Sequence, residues 1–498
     1  MKKLLLLLLS LICLQSNAQV NDTITELFHN AYRVYQLQRS GDGMYRDSKL
    51  FEGLDFHPVS IANTGIGLVS LCIADTMDWE FNAKELALTT LKTVTGHDAS
   101  FRPDRNANGF FRHFMDINTG FNAWNSEYST IDTDILVSGA LFCKNYFQDD
   151  SISKYVDELW NSIDFNAAIA DPTLGRIYLE MEANGSGKTG SYTLPYNEYM
   201  IVAWLAKNSS DDPNTAGNQL WSNFYSTTTN LPKPGYRGIN VLSDNGSAFL
   251  SSFTHQFNYY LCHYFAQNDS YMDFYRNAYK ADSAWWKNNS GFNEYEWGLG
   301  AGSYNNSSGY HADKINDNNS KVVSPHIIAG FLPVNPAGKR NLLDMYRSAK
   351  GRYQLPMGAL RLILWRYSVN SPSWTANEVQ GIDYSSMLFG LASLPEYLGP
   401  EFFSTYNDFF DSATSIGGEL EVDLKLYPNP TSQQLILHLE EIRKYEFRML
   451  DLSGKLMKIP YFASSGRIEW DISTLSSGMY ILEIRDGKLK TERKFLIP

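Results

Sequence analysis

Two kinds of apolar segment alternate along the chain. In one kind, apolar residues recur at helical spacing among charges, the pattern of a helix with one face in solvent. This describes 22–39, 79–95, 151–165, 214–226, 270–288 and 337–350. In the other kind charge is nearly absent, and such stretches begin near 59, 130, 195, 247, 324 and 381. A helix apolar on every side has to be enclosed by protein. Six enclosed helices in strict alternation with six solvent-facing ones predict a mainly α fold, an (α/α)6 barrel with an inner and an outer ring. The irregular spacing argues against a solenoid, which keeps a fixed period. Start signals agree: Ser129 and Asp132 have the spacing of a capping box, and Pro195 and Pro325 suit a first helical position.

Near DSATSIGG the pattern changes from helical to alternating, with turn signals between short runs such as QQLILHL, KYEFRML, RIEWDI and MYILEIR. These predict a small all-β sandwich. At the other end, Lys2 and Lys3 precede a Leu-rich run that closes on Ser16-Asn17-Ala18, the form of a secretory signal. The expected organisation is therefore a signal peptide over 1–18, an α-barrel domain over 19–410, a linker over 411–420 and a β-sandwich over 421–498.

Composition narrows the partners. A net charge of −12 argues against nucleic acid or an anionic membrane surface as the main partner. No apolar run after the leader is long enough to span a membrane. Beyond the leader only Cys72, Cys143 and Cys262 remain, each in an apolar helical run, so buried thiols are expected rather than a disulfide framework. His255 and His263 have no third ligand in pattern, and no metal or cofactor is expected.

The chemistry lies where charge-free helices begin. Glu127, Asp132 and Asp134 precede or open one of them, Glu198 opens a second and Asp383 a third. Acids there complement a helix N-terminus, but they also stand where a buried ring meets solvent. Asp132 and Asp134 are about 200° apart around a helix and cannot share a role. Two carboxylates converging on a sugar suit glycoside hydrolysis, one protonating the leaving oxygen and the other activating water. A helix N-terminus lowers an acid's pKa, so desolvation would have to overcome it at the acid. Long polar loops, 102–124 and 290–321 above all, would wall the groove.

Several pieces in order resemble the glycoamylase-like family, which includes bacterial β-1,2-glucanases. They are Thr64-Gly65-Ile66-Gly67, Gly109-Phe110-Phe111 with His113-Phe114-Met115-Asp116, Glu127 to Thr133, Tyr196-Asn197-Glu198-Tyr199, Phe253 with His255-Gln256, Trp297-Gly298-Leu299, Gly309-Tyr310 and Gly381-Ile382-Asp383. The resemblance implies an inverting hydrolase of a β-glucan, with β-1,2 linkage the best guess. It implies Glu198 as general acid and Asp383 on the base side, acting through water or a substrate hydroxyl. It further implies substrate contacts from Glu127, Asp132, Arg112, His113, His255, Gln256, Trp297 and Tyr310. Another glucan, glycosyl transfer, or glycan binding without catalysis remain alternatives. The C-terminal part resembles the sorting domain of type IX secretion through Leu426-Tyr427-Pro428-Asn429-Pro430, Leu475 to Tyr480 and Lys494-Phe495. That implies the type IX machinery as partner and export, through the periplasm of a Gram-negative cell, to the surface or beyond.

Overall fold

The computed structural model describes residues 23–289 and 292–410, and in the C-terminal part 425–427, 431, 433–438, 446–451, 456–457, 459–464, 467–486 and 489–498. The expected signal peptide, the expected linker and the Pro428-Asn429-Pro430 motif lie outside the described residues. The chain divides into two compact units, Met1–Phe409 and Phe410–Pro498.

In the first unit all twelve helical segments form. They are α1 (23–38), α2 (Ile61–Thr76), α3 (Ala83–Val94), α4 (Thr130–Phe147), α5 (Asp150–Asn161), α6 (Met200–Asn208), α7 (Ala216–Leu220, continued by a wider turn over Trp221–Tyr225), α8 (Phe253–Leu261), α9 (Asp269–Lys287), α10 (Pro325–Gly330), α11 (Gly338–Ser348) and α12 (Gly381–Ala392). The even-numbered helices are the charge-poor ones, and they are buried nearly throughout. Each packs on the next even-numbered helix, and α12 packs back on α2, so the six close on themselves. Among the odd-numbered helices, α3, α5, α9 and α11 bury one stripe and leave the other face wet.

Capping explains the starts. Ser60 and Ser129 accept from the backbone N–H three residues on, at Asn63 and Asp132, and Pro325 stands at the start of α10. Pro195 does not start a helix: α6 begins only at Met200, and Glu198 sits in the turn before it. Likewise the segment expected near 247 turns helical only at Phe253. In both places polar side chains engage the local backbone instead, as where Asn197 accepts from the Tyr199 N–H and Ser243 donates to the Ala248 carbonyl.

The connections that lead into the even-numbered helices are stitched by very short antiparallel ladders. Val59–Ser60 pairs with Phe114–Met115, Tyr128–Ser129 with Glu180–Met181, Val322–Val323 with Tyr367–Ser368, and Ser48–Leu50 with Glu378–Gln380. Four even-numbered helices, α2, α4, α10 and α12, thus begin at or within two residues of a paired strand, which fixes their first turns at the rim. Behind the rim the backbones touch. A Cβ on Gly139 would lie 2.1 Å from the Gly65 carbonyl oxygen, and one on Gly390 would lie 2.0 Å from the Ala329 carbonyl oxygen. The three cysteines are buried and unbridged.

The second unit is β-rich. Its described strands form two four-stranded antiparallel sheets, one of Lys425–Tyr427, Gln434–His438, Arg467–Asp471 and Tyr461–Ser464, the other of Leu456–Met457, Glu446–Asp451, Gly478–Asp486 and Leu489–Ile497. Alternate residues from both, including Leu435, Leu437, Trp470, Leu482, Ile484 and Phe495, bury one shared core.

The glycine contact gives a stability prediction. Gly139→Ala in the full chain should cost about 2–3 kcal/mol in thermal unfolding, because backbone atoms have to move to admit the methyl group. Gly358→Ala, at a position with nothing within 4 Å of the added carbon, should change stability by less than about 0.5 kcal/mol.

Candidate active site

The acid of α12 comes first. Asp383 stands in the first turn behind Gln380, whose side chain makes no cap hydrogen bond. It is 3 % exposed, and the Tyr310 hydroxyl lies 3.3 Å from each of its oxygens. Burial pushes its pKa up to about 7; Arg366 opposes that rise and Asp47 adds to it. The Arg366 guanidinium is itself fully buried and ion-paired with Asp313. Tyr310 leaves part of its ring in solvent while its hydroxyl reaches inward.

Three connections away, the turn before α6 holds Glu198. Thr254 on α8 donates to its Oε2 at 3.4 Å. Burial raises its pKa above the usual carboxylate range, against the pull of that hydrogen bond, and the neighbouring Asp244 and Asp132 raise it further. Desolvation therefore prevails at Glu198, as a general acid requires. Glu198 also escapes the dipole objection in part, since it precedes the helix rather than sitting within its first turn.

His113 interacts with Asp132, which acts on Glu198, and with Asp47, which acts on Asp383. Its Nδ1 is 2.9 Å from Glu127 Oε1 and its Nε2 is 3.6 Å from Asp132 Oδ1. Burial works against a charged ring, but Asp132, Glu127 and Asp47 outweigh it and raise the pKa to about 9. The hydrogen bond from His113 in turn holds Glu127 below its ordinary value. At neutral pH this is an imidazolium bridging two carboxylates. His113, Glu127 and Asp132 are also the grouping with metal-ligand spacing among the described residues. Both ring nitrogens already face carboxylates, so an ion would have to displace one of these pairings, and the arrangement reads as an ion-pair triad.

Electrostatic interactions link these groups pairwise: Glu198 with Asp132, Asp132 with His113, His113 with Asp47, and Asp47 with Asp383. Asp47 was not expected from the sequence. Its carboxylate accepts from Ser48 Oγ at 2.8 Å, and burial raises its pKa while His113 and His57 lower it. His57 pairs with Glu378 at 2.8 Å. No cap or helix start marks Asp47 in the sequence; the ladder of 48–50 on 378–380 and the Gly381 N–H on the Asp47 carbonyl tie it to the start of α12.

Five of the anticipated residues are buried or committed to contacts within the protein. Asp134 is fully buried, with neither oxygen hydrogen-bonded and a strongly raised pKa from burial, so it is a neutral acid inside the ring. Arg112 braces its loop: Nε pairs with Asp104 at 3.1 Å, Nη1 donates to the Ser126 carbonyl, and the guanidinium covers Tyr128. His255 is buried against Tyr196, with Nδ1 3.1 Å from that hydroxyl, and burial lowers its pKa to about 3. Gln256 is fully buried and donates to the Ile327 carbonyl, tying α8 to α10. Trp297 is buried, and its Nε1 donates to Asn341. These four contribute packing and polar satisfaction instead of a sugar-facing surface. Glu127, Asp132, His113, Glu198, Asp383 and Tyr310 remain together on the rim.

The same fold occurs among solved glucan-cleaving proteins. An endo-β-1,2-glucanase from Chitinophaga pinensis, solved with sophorotriose and glucose, superposes with a TM-score of 0.63 at 15% identity, covering 79% of this chain and 96% of that one. A putative glucoamylase from Bacteroides uniformis gives 0.64 at 16%, covering 79% and 95%. The endo-β-1,2-glucanase of Talaromyces funiculosus, solved with sophorose, gives 0.56 at 11%, covering 77% and 85%. The fold is theirs. Residues 425–498 match the family described as secretion system C-terminal sorting domain, which marks the chain for export by the type IX route. No curated protein matches the chain. Among the described residues no helix is long and apolar enough to cross a membrane.

The triad makes a pH prediction. His113 titrates near 9 in the folded chain against 6.5 ordinarily. Its contribution is therefore complete below pH 6.5 and is lost as pH rises through 9. The unmutated chain should lose about 1–2 kcal/mol relative to His113→Gln over that window. Thermal unfolding of both proteins from pH 6 to about 10 measures this, and parallel curves would contradict the charged-ring assignment.

Proposed function

We propose that the chain is a secreted glycoside hydrolase, with residues 19–410 an (α/α)6 barrel cleaving a β-glucan, best matched to β-1,2 linkage, by inversion. The ring formed by α2, α4, α6, α8, α10 and α12 supports the barrel. The function rests on one observation above all: two carboxyls on one rim, Glu198 and Asp383, are both pushed up by burial and are joined through a line of charged side chains. Burial moves Glu198 in the direction that an acid protonating a leaving glycosidic oxygen needs, and Glu198 takes that role. Asp383 takes the base side. Tyr310 orients it, and loss of its proton lets it draw a proton from water, directly or through a substrate hydroxyl. The triad around His113 presents a fixed charge and acceptors to sugar hydroxyls, with Glu127 and Asp132 lining the subsites. The relatives solved with sophorose and sophorotriose support β-1,2-glucan as substrate. Residues 1–18 and 421–498 would carry the chain through the periplasm of a Gram-negative bacterium to the surface or the medium.

Purified full chain should release oligosaccharides from linear β-1,2-glucan with the anomeric configuration of the product inverted, read by proton NMR during early turnover. Glu198→Gln and Asp383→Asn should each lower kcat by about a thousandfold with little change in melting temperature. Full activity of Glu198→Gln would refute the acid assignment. The kcat/KM profile should be bell-shaped, with Asp383 needed ionised and Glu198 needed protonated.

A further inference from the structure

Large apolar side chains left in solvent include Leu54, Phe56, Phe121 and Trp124, all from the two connections that precede α2 and α4. Two of them are held by a continuous set of rings. Trp124 meets Phe114 edge-to-face at 5.1 Å and His57 at 5.9 Å, and Phe56 stacks on His57 at 4.2 Å. Phe114 stacks at 3.7 Å on His113, the imidazolium of the triad. The rings thus run without a break from the exposed rim to the charged residues beside Glu198. His57 is buried, with Nε2 2.8 Å from Glu378, so the ring on which both exposed side chains lean is tied into the fold.

Trp124 and its neighbour Asn125 have φ of 53° and 52°, the left-handed region that bulky residues rarely adopt. The loop nevertheless carries Trp124 to a position where it is 55 % exposed, and Phe56 is 66 % exposed. Burial of these two rings cannot be what offsets the strain. A pre-ordered indole face beside a sugar-binding site has a direct use: the C–H face of a pyranose stacks on it while its hydroxyls stay in water. With a net charge of −12 the chain disfavours anionic polymers, which leaves a neutral glycan as the fitting occupant.

We propose that Trp124 and Phe56 form a distal glycan-binding platform, which holds glucosyl units of the same chain whose bond is cleaved between Glu198 and Asp383. The platform rests on the hydrolase reading and deepens it: the substrate is a chain long enough to reach from the triad to the rim.

The test compares unmutated full chain with Trp124→Ala, Phe56→Ala and Trp124→Phe on linear β-1,2-glucan and on its oligosaccharides of increasing length. Trp124→Ala should raise KM for the polymer about tenfold while kcat holds, and should leave kcat/KM on the shortest cleaved oligosaccharide unchanged. Trp124→Phe should retain most of the polymer affinity. Should Trp124→Ala lower the melting temperature, Phe56→Ala decides by the same length dependence. Equal loss at every length, or none at any, overturns the platform and leaves the hydrolase intact. If the unmutated chain cleaves no glucan, the hydrolase reading falls and the platform with it.

Discussion

The seam where the last charge-poor helix meets the first holds the site together. Closing a ring of buried helices leaves backbone groups with no strand or helix partner, and such groups have to be satisfied. Here side chains of α1 and α2 do it. Tyr35 donates to the Gly381 carbonyl at 2.8 Å, Gln38 to the Val379 carbonyl, and Asn63 to both Gln38 Oε1 and the Arg46 carbonyl. The Gly381 N–H donates to the Asp47 carbonyl at 2.8 Å. There is no room at 381 for a side chain, since a Cβ would fall 2.2 Å from the Asn63 amide. Asp383 lies two residues beyond this knot and Asp47 within it. Loosening the seam would therefore free Asp383 and Asp47 together.

The electrostatics follow from where the polar atoms end. Helix N-termini favour ionised acids, yet both principal carboxyls are held upward by burial. At Asp383 the buried Arg366 would restore a low pKa, but its guanidinium is already committed to Asp313, and Asp47 pushes the other way. The charged His113 is held by Glu127 and Asp132. Two carboxyls raised by burial, with a cationic imidazolium linked to both through neighbouring carboxylates, are the electrostatic basis of the proposed proton transfer.

The alternation of buried and half-exposed helices was legible in the sequence because enclosure removes charge, and that signature survives without any contact information. The twelve segments stand close to where their patterns begin. What escaped was of two kinds. Two- and three-residue ladders are too short to show alternation, so the pairing that brings Asp47 to Asp383 left no trace. Polar and aromatic residues near motif positions look alike whether they face a sugar or satisfy the interior. Gln256 and Trp297 proved to be partners of Ile327 and Asn341, and His255 of Tyr196. Glu198 was placed correctly beside a charge-free helix, but the helix start was misjudged because Pro195 marks the preceding turn and not the first helical residue.

The most direct test is a crystal structure of full-chain Glu198→Gln grown with a linear β-1,2-glucan oligosaccharide. One glycosidic oxygen is expected within about 3 Å of the residue-198 amide, and a water or sugar hydroxyl at about 3 Å from Asp383 on the opposite side of the same sugar. A glycan bound away from both side chains, or the two facing different cavities, would contradict that placement.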